Sequence, residues 1–217
     1  NKDKENMNTF RIITRIEEMD KKRSKIYINQ EFAFVLYKGE IAQYKLMEGS
    51  QIEDNKCYVI HNEILPKRAK KRSLNLLQKR PYTEQELREK LAEGYYPETI
   101  IEEAIEYVKS FHYIDDYEYA CQYIFYHKES ESRKKMEEKL MIKGINRDIL
   151  QKAFANSYAD EEEAMEIEME QAQKLLRKKK YEHENTDWKE KQKIYAFLVR
   201  KGISSSVIKK AMGLQDV

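Results

Sequence analysis

Leu140-Met141-Ile142-Lys143-Gly144-Ile145 recurs as Leu198-Val199-Arg200-Lys201-Gly202-Ile203, and most of the fold can be worked outward from that recurrence. In each copy an apolar stripe runs up to a glycine and resumes just beyond it. A further copy passes through Gly94-Tyr95-Tyr96. With Tyr96, Ile145 and Ile203 aligned, Leu87, Met136 and Ile194 lie nine residues earlier, and Leu91, Leu140 and Leu198 lie five earlier. Ile100-Ile101, Ile149-Leu150 and Val207-Ile208 lie four and five residues later, followed by Ala104-Ile105, Ala153-Phe154 and Ala211-Met212 at eight and nine. The earlier set makes one helical stripe and the later set a second stripe on a new helix. Glycine tolerates the left-handed conformation that ends a helix at its C′ position, so Gly94, Gly144 and Gly202 predict the turns. Pro97, Asn146 and Ser204 then open the next helix as caps or first residues. Ile145 with Leu150, and Ile203 with Ile208, fit a hydrophobic staple.

An earlier helix completes each unit. Its apolar face comes from Leu74 and Leu77 in the first copy, Ala120, Tyr123 and Ile124 in the second, and Ala172, Leu175 and Leu176 in the third. Thr83 with Glu86 reads as a capping box, and Asp115-Asp116 is placed to cap the helix that opens the second copy. One three-helix unit has a marginal core, whereas stacked units share buried faces. The expected fold is therefore mainly α: three tandem three-helix, helix-turn-helix-like repeats in an elongated curved array. They would occupy residues 66–115, 116–158 and 159–217, the last with an insertion.

Residues 1–65 read differently, as a β-rich extension with short helices. Ile12, Thr14 and Ile16 alternate with Arg11, Ile13, Arg15 and Glu17; Ile26 and Ile28 alternate with Lys25, Tyr27 and Asn29; Phe32, Phe34 and Leu36 follow. Period-two patterning broken by Asp20–Ser24 and Gln30-Glu31 predicts a small antiparallel meander leaning on a neighbouring helix. From Gly39 to Ile64 the pattern reads as two short helices separated at Gly49.

Charged residues make up 37% of the 217-residue chain, against roughly 25% for an average soluble protein, so surface is abundant relative to core. Three prolines and six glycines argue against a loop-rich or all-β architecture. Lys+Arg total 41 and Asp+Glu 39, a net charge of +2, but the two signs come in separate blocks that create local fields. Cys57 and Cys121 lack disulfide-framework or zinc spacing and read as reduced thiols. No apolar run approaches the ~20 residues of a membrane span, and Asn1–Asn6 has no apolar core of a signal peptide, so a soluble cytoplasmic protein is expected. His61, His112, His127 and His183 lack helical zinc spacing, and no phosphate-binding glycine loop or nucleophile motif is present. No catalysis, metal or cofactor is expected.

Ordered motifs carry a family resemblance. Arg80-Pro81-Tyr82-Thr83-Glu84-Gln85-Glu86-Leu87, Tyr113-Ile114-Asp115-Asp116 with Tyr119-Ala120, and the two Lys-Gly-Ile elements follow one another in the order seen in the RecX family. The resemblance covers most of residues 66–217, and the β-rich N-terminus resembles the extension of some longer members. Pro81-Tyr82 departs from the family, many of whose members carry a second basic residue there. The resemblance implies a monomeric, non-enzymatic modulator, usually an inhibitor, that binds in the groove of a RecA filament on single-stranded DNA. It would touch the DNA weakly or through the filament.

Three basic clusters are the candidate contacts to phosphates or to an acidic filament surface. The first comprises Lys67, Arg68, Lys70, Lys71 and Arg72, with Lys79 and Arg80; no acidic residue interrupts positions 67–80. The second comprises Arg133, Lys134, Lys135, Lys139 and Lys143, and the third Lys174, Arg177 and Lys178 with Lys179 and Lys180. Each can equally be read as a solvated helix face. The acidic block Asp160–Glu163 reads as a helix start, and most tyrosines, Tyr96 and Tyr123 among them, as core. Helix–glycine-turn–helix units with basic flanks also describe DNA-binding transcription regulators. Against that alternative, the post-glycine helices carry Glu98, Glu102, Glu103, Glu106 and Asp148, which would repel phosphates.

Overall fold

The computed structural model describes residues 11–214; the Asn1–Asn6 segment read above for a signal peptide lies outside them. The described residues divide into two compact units, one of residues 11–81 with 86–113, the other of 82–85 with 114–214.

The first unit opens with strands β1 (Ile13–Glu18), β2 (Arg23–Ile28) and β3 (Glu31–Tyr37), paired antiparallel in the order β1-β2-β3. The meander is as expected, except at the start of its first strand. Ile13 is buried and Ile12 exposed, because the β1–β2 register shifts between Ile13 and Arg15. A bulge there resets the alternation and puts Ile13 and Ile16 on one side. Short helices α1 (Lys38–Gln43) and α2 (Asp54–Val59) flank the turn at Gly49, where φ is +77°.

Helix α2 does not stop before Pro66. It passes through a π-helical turn, Ile60–Ile64, directly into α3 (Leu65–Leu77). Proline has no amide to give and its ring crowds the carbonyl four residues back; a π turn just upstream is a common way of accommodating such a fault. The core face of α3 also differs from expectation. Ala69 and Ser73 are fully buried, while Leu74 and Leu77 are half-buried. Ala69 and Ser73 thereby match the buried pairs Ala120/Ile124 and Ala172/Leu176, and in each set a small residue lets the first helix lie close to the third. Helices α4 (Glu84–Ala92) and α5 (Glu98–Ser110) complete the set, with Leu87, Leu91, Ile100, Ile101, Ala104 and Ile105 buried.

The second unit holds α6 (Asp116–His127), α7 (Arg133–Ile142) and α8 (Arg147–Ser157), then α9 (Glu161–Lys178), α10 (Trp188–Arg200) and α11 (Ser205–Met212). Each set encloses its own apolar cluster, one built on Ile124, Met136, Leu140, Leu150 and Phe154, the other on Leu176, Ile194, Leu198, Ile208 and Met212. The sequence-derived stripes supply nearly all of both. Asp115 caps α6 by accepting from the amides of Tyr117 and Glu118, and Asp160 caps α9 by accepting from Glu163. Asp116 reaches further and accepts from the amide of Glu84 at 2.9 Å.

Glycine acts as expected at two of the three turns. Gly144 and Gly202 have φ of +87° and +86°. In the first copy the left-handed residue is Tyr95, with φ +62°, and Gly94 serves a different need. A Cβ on Gly94 would stand 2.8 Å from the Tyr96 ring. Gly94 is one position too early for the turn, and its missing side chain instead makes room for that ring.

Candidate functional site

The helix phase set by Ala69 and Ser73 distributes the first basic cluster around α3. Lys67 and Lys71 are exposed, whereas Arg68 and Arg72 flank the buried stripe and are partly covered. Arg68 is tied into the fold: it donates to the Val35 carbonyl at 2.9 Å, pairs with Glu40 and lies over the Tyr37 ring, 4.7 Å from its centroid. It is the strut on which the sheet leans against α3, and its charge is met inside the unit. Arg80 is exposed and donates to the Pro81 carbonyl at 2.8 Å.

Arg68, Lys71, Arg72 and Lys79 line a groove of about 450 Å³ together with Arg23 from β2 and Tyr96 from the turn before α5. Sequence reading missed Arg23, because it lies on a strand far from the cluster, and it assigned Tyr96 to the core by alignment with Ile145 and Ile203. Tyr96 is only half-buried. Burial pushes its hydroxyl pKa up, opposed by the positive charges of Arg68 and Arg72.

In the second unit the structure joins what the sequence could only enumerate. Lys135 and Lys139 of α7, Lys174 and Lys178 of α9, and Lys201 at the end of α10 line one groove of about 680 Å³. Lys201, the lysine of the second Lys-Gly-Ile element, was read above only as a turn residue. Two glutamates, Glu129 and Glu131, share the groove. Glu131 holds Lys139 at 2.6 Å, and that hydrogen bond raises the pKa of the lysine. Lys174 pairs with Glu170 at 3.5 Å. Lys135 and Lys178 have no acidic partner among the described residues. The remaining candidates lie elsewhere. Arg133 sits over the Phe154 ring and, with Lys134, borders a different groove beside Tyr158 and Met165. Lys143 is half-buried near the Tyr119 ring, and Arg177 is exposed.

Cys57 and Cys121 are free thiols. No group of three His, Cys, Asp or Glu side chains is arranged to hold a metal ion among the described residues. No helix among them is long and apolar enough to cross a membrane.

Comparison with known proteins places these features among relatives. Residues 69–107 match the profile of the first three-helix domain of RecX, and residues 166–212 that of its third three-helix domain. Regulatory protein RecX of Clostridium perfringens (strain 13 / Type A) is 30% identical over 192 residues, covering 86% of this chain and 87% of that protein. The protein of the same name from Caldanaerobacter subterraneus subsp. tengcongensis is 30% identical over 207 residues, covering 94% and 99%. A crystal structure of regulatory protein RecX superposes with a TM-score of 0.61 at 26% identity, covering 92% of this chain and 99% of that one. The crystal structure of RecX from Lactobacillus salivarius, at 22% identity and a TM-score of 0.58 over 69% of this chain and 96% of that one, shares the fold.

Proposed function

This chain belongs to the RecX family of regulatory proteins, and from that membership we propose that it modulates the RecA recombinase by binding in the groove of the RecA–single-stranded DNA filament. Filament assembly, ATP hydrolysis and strand exchange would all change, most often downward. The protein would act as a monomer and without catalysis of its own. The observation that carries this reading is the convergence of Lys135, Lys139, Lys174, Lys178 and Lys201 on one groove of the second unit. Cations on three helices facing one channel present a field to a polyanion that scattered lysines do not. Exposed Lys67, Lys71 and Arg80 would add contacts from the first unit, and Arg133, Lys134, Lys143 and Arg177 from the second.

The experiment is RecA ATPase and strand exchange on single-stranded DNA with substoichiometric amounts of this protein. Both rates should change, and K135E/K178E should abolish the effect while leaving helix content intact. Unchanged rates, with sequence-specific duplex binding instead, would support the alternative of a transcription regulator. One helix favours that alternative: α11 carries Lys209 and Lys210 and no acidic residue. The acidic face of α5, with Glu98, Glu102, Glu103 and Glu106, weighs against it.

A further inference from the structure

We propose that the groove formed by β2, β3, α3 and the turn before α5 in the first unit is a binding site for a single phosphate group. This deepens the reading above by giving the first cluster a ligand chemistry, but it needs no RecA.

The groove is lined by five cationic side chains, Arg23, Arg68, Lys71, Arg72 and Lys79, and by no acidic one. Two of the five are already neutralised from outside the groove: Arg23 by Asp20 at 2.7 Å and Arg68 by Glu40. Lys71, Arg72 and Lys79 have no acidic partner among the described residues. Three uncompensated charges around one recess favour a small, highly charged anion.

Arg72 supplies the second observation. Its Nε is buried and has no acceptor, and one terminal nitrogen makes only a 3.4 Å contact to the Lys90 carbonyl. Buried N–H groups in folded proteins are almost always paired, so Arg72 lacks within the unit the partners that hold Arg23 and Arg68. A guanidinium's terminal N–H groups lie in one plane and match the oxygens of a phosphate. Tyr96 adds a neutral donor: its hydroxyl makes no hydrogen bond among the described residues, and its ring lies where a Cβ on Gly94 would stand. Lys71 and Lys79 close the outer side as mobile point charges. About 450 Å³ is roomier than one phosphate needs, so the group can arrive free or attached to a chain. Free phosphate and the nucleic-acid backbone are the two sources of this chemistry.

The test uses the full chain and two probes, inorganic phosphate by calorimetry and a single-stranded oligothymidylate by fluorescence anisotropy across a salt series. Wild type should bind at least one of them, and Arg72→Gln should weaken that binding at least tenfold, with Tyr96→Phe a few-fold effect. Binding of phosphate alone assigns the free ion. Loss of oligothymidylate affinity in Arg72→Gln, with the salt slope falling by about 0.7 for the one contact removed, assigns the backbone. Lys189→Gln, exposed on α10 and outside both grooves, should leave phosphate binding unchanged. Should Arg72→Gln fail to fold, Lys71→Gln/Lys79→Gln changes only exposed residues and should weaken the same probe at least fivefold. The proposal is overturned if wild type binds neither probe, or if folded variants bind both as wild type does. Loss of RecA modulation with intact phosphate binding, or the reverse, separates this site from the function proposed above.

Discussion

Two hydroxyl-to-carbonyl bridges in the second unit repeat one design with different supports. Thr83 donates its hydroxyl to the carbonyl of Lys143 at 2.6 Å, and Ser132 donates to that of Lys201 at 2.7 Å. Each hydroxyl stands just before a middle helix, and each acceptor is the lysine of a Lys-Gly-Ile element. The glycine next to each acceptor lies against the start of the same helix: a Cβ on Gly144 would meet Gln85, and one on Gly202 would meet Ser132. The first bridge is backed by Asp116, which accepts from the amide of Glu84. The second is backed by α9, whose buried Gln171 donates to the carbonyls of Lys128 and Glu131, and whose Glu168 accepts from the amide and hydroxyl of Ser204. The glycines are therefore needed twice, for a left-handed backbone and for a close approach. The polar support around them is free to differ.

The largest effect should come from Gly144→Ala. The added Cβ would stand 2.2 Å from the Cβ of Gln85 and 2.7 Å from its Cγ, atoms close to the main chain that cannot step aside. With the left-handed backbone of Gly144 as well, the expected loss is about 2–5 kcal/mol, read by urea denaturation. Gly202→Ala should cost less. Its nearest obstacle is the Ser132 hydroxyl oxygen at 2.3 Å, which can rotate away by giving up its bond to Lys201. Equal losses at the two glycines would show that backbone strain, not the neighbour, sets the cost. Gln171→Leu comes next, because it leaves two carbonyls without their donor, and about 1–3 kcal/mol is expected. Ser132→Ala and Thr83→Val each remove the hydroxyl that bridges to a lysine carbonyl, and the loss of that bond should cost about 1 kcal/mol apiece. A much larger loss for Ser132 would mean that α9 relies on that bridge as well.

How much of this was readable beforehand follows from what the sequence signals report. Stripes, caps and turns are local, so Leu140, Ile203, Asp115 and Asp160 could be placed correctly from spacing alone. Ala69 could not, since a small residue inside Lys67–Arg72 looks like a gap in a charge run and not a core position. Its burial turns Arg68 inward as a strut and leaves Lys71 outside, a distinction that like-charged neighbours do not reveal. The lysine groove was hidden for the opposite reason. Lys135 and Lys178 sit on two helices and Lys201 just past the end of a third, and only packing decides that they face one channel. The exchange of roles between Gly94 and Tyr95 was legible in principle, because Gly94 stands two residues before Tyr96 while Gly144 and Gly202 stand one before their isoleucines.

The smallest expected effect tests the support peculiar to the second bridge, through pH. Glu163 accepts from the amide of Ala159 and from Lys128, whose ammonium also reaches the Ser157 carbonyl. The Ala159 amide, and next the Lys128 hydrogen bond, hold the Glu163 carboxyl below the usual range. A carboxylate whose folded pKa is depressed contributes stability that is fully present above its unfolded value and disappears as pH falls through the folded one. Wild type should therefore exceed Glu163→Gln in stability at neutral pH, and the gap should narrow through the acid range and close once the Glu163 carboxyl is protonated in the folded and unfolded chain alike. Thr83→Val removes a hydroxyl that does not titrate in this range, so the loss it causes should not track the titration of Glu163. Denaturation midpoints measured from neutral to acid pH distinguish the two patterns. A Glu163→Gln gap that stayed constant with pH would show that its side chain serves by packing, and the pairing with Lys128 would then contribute nothing to the second bridge.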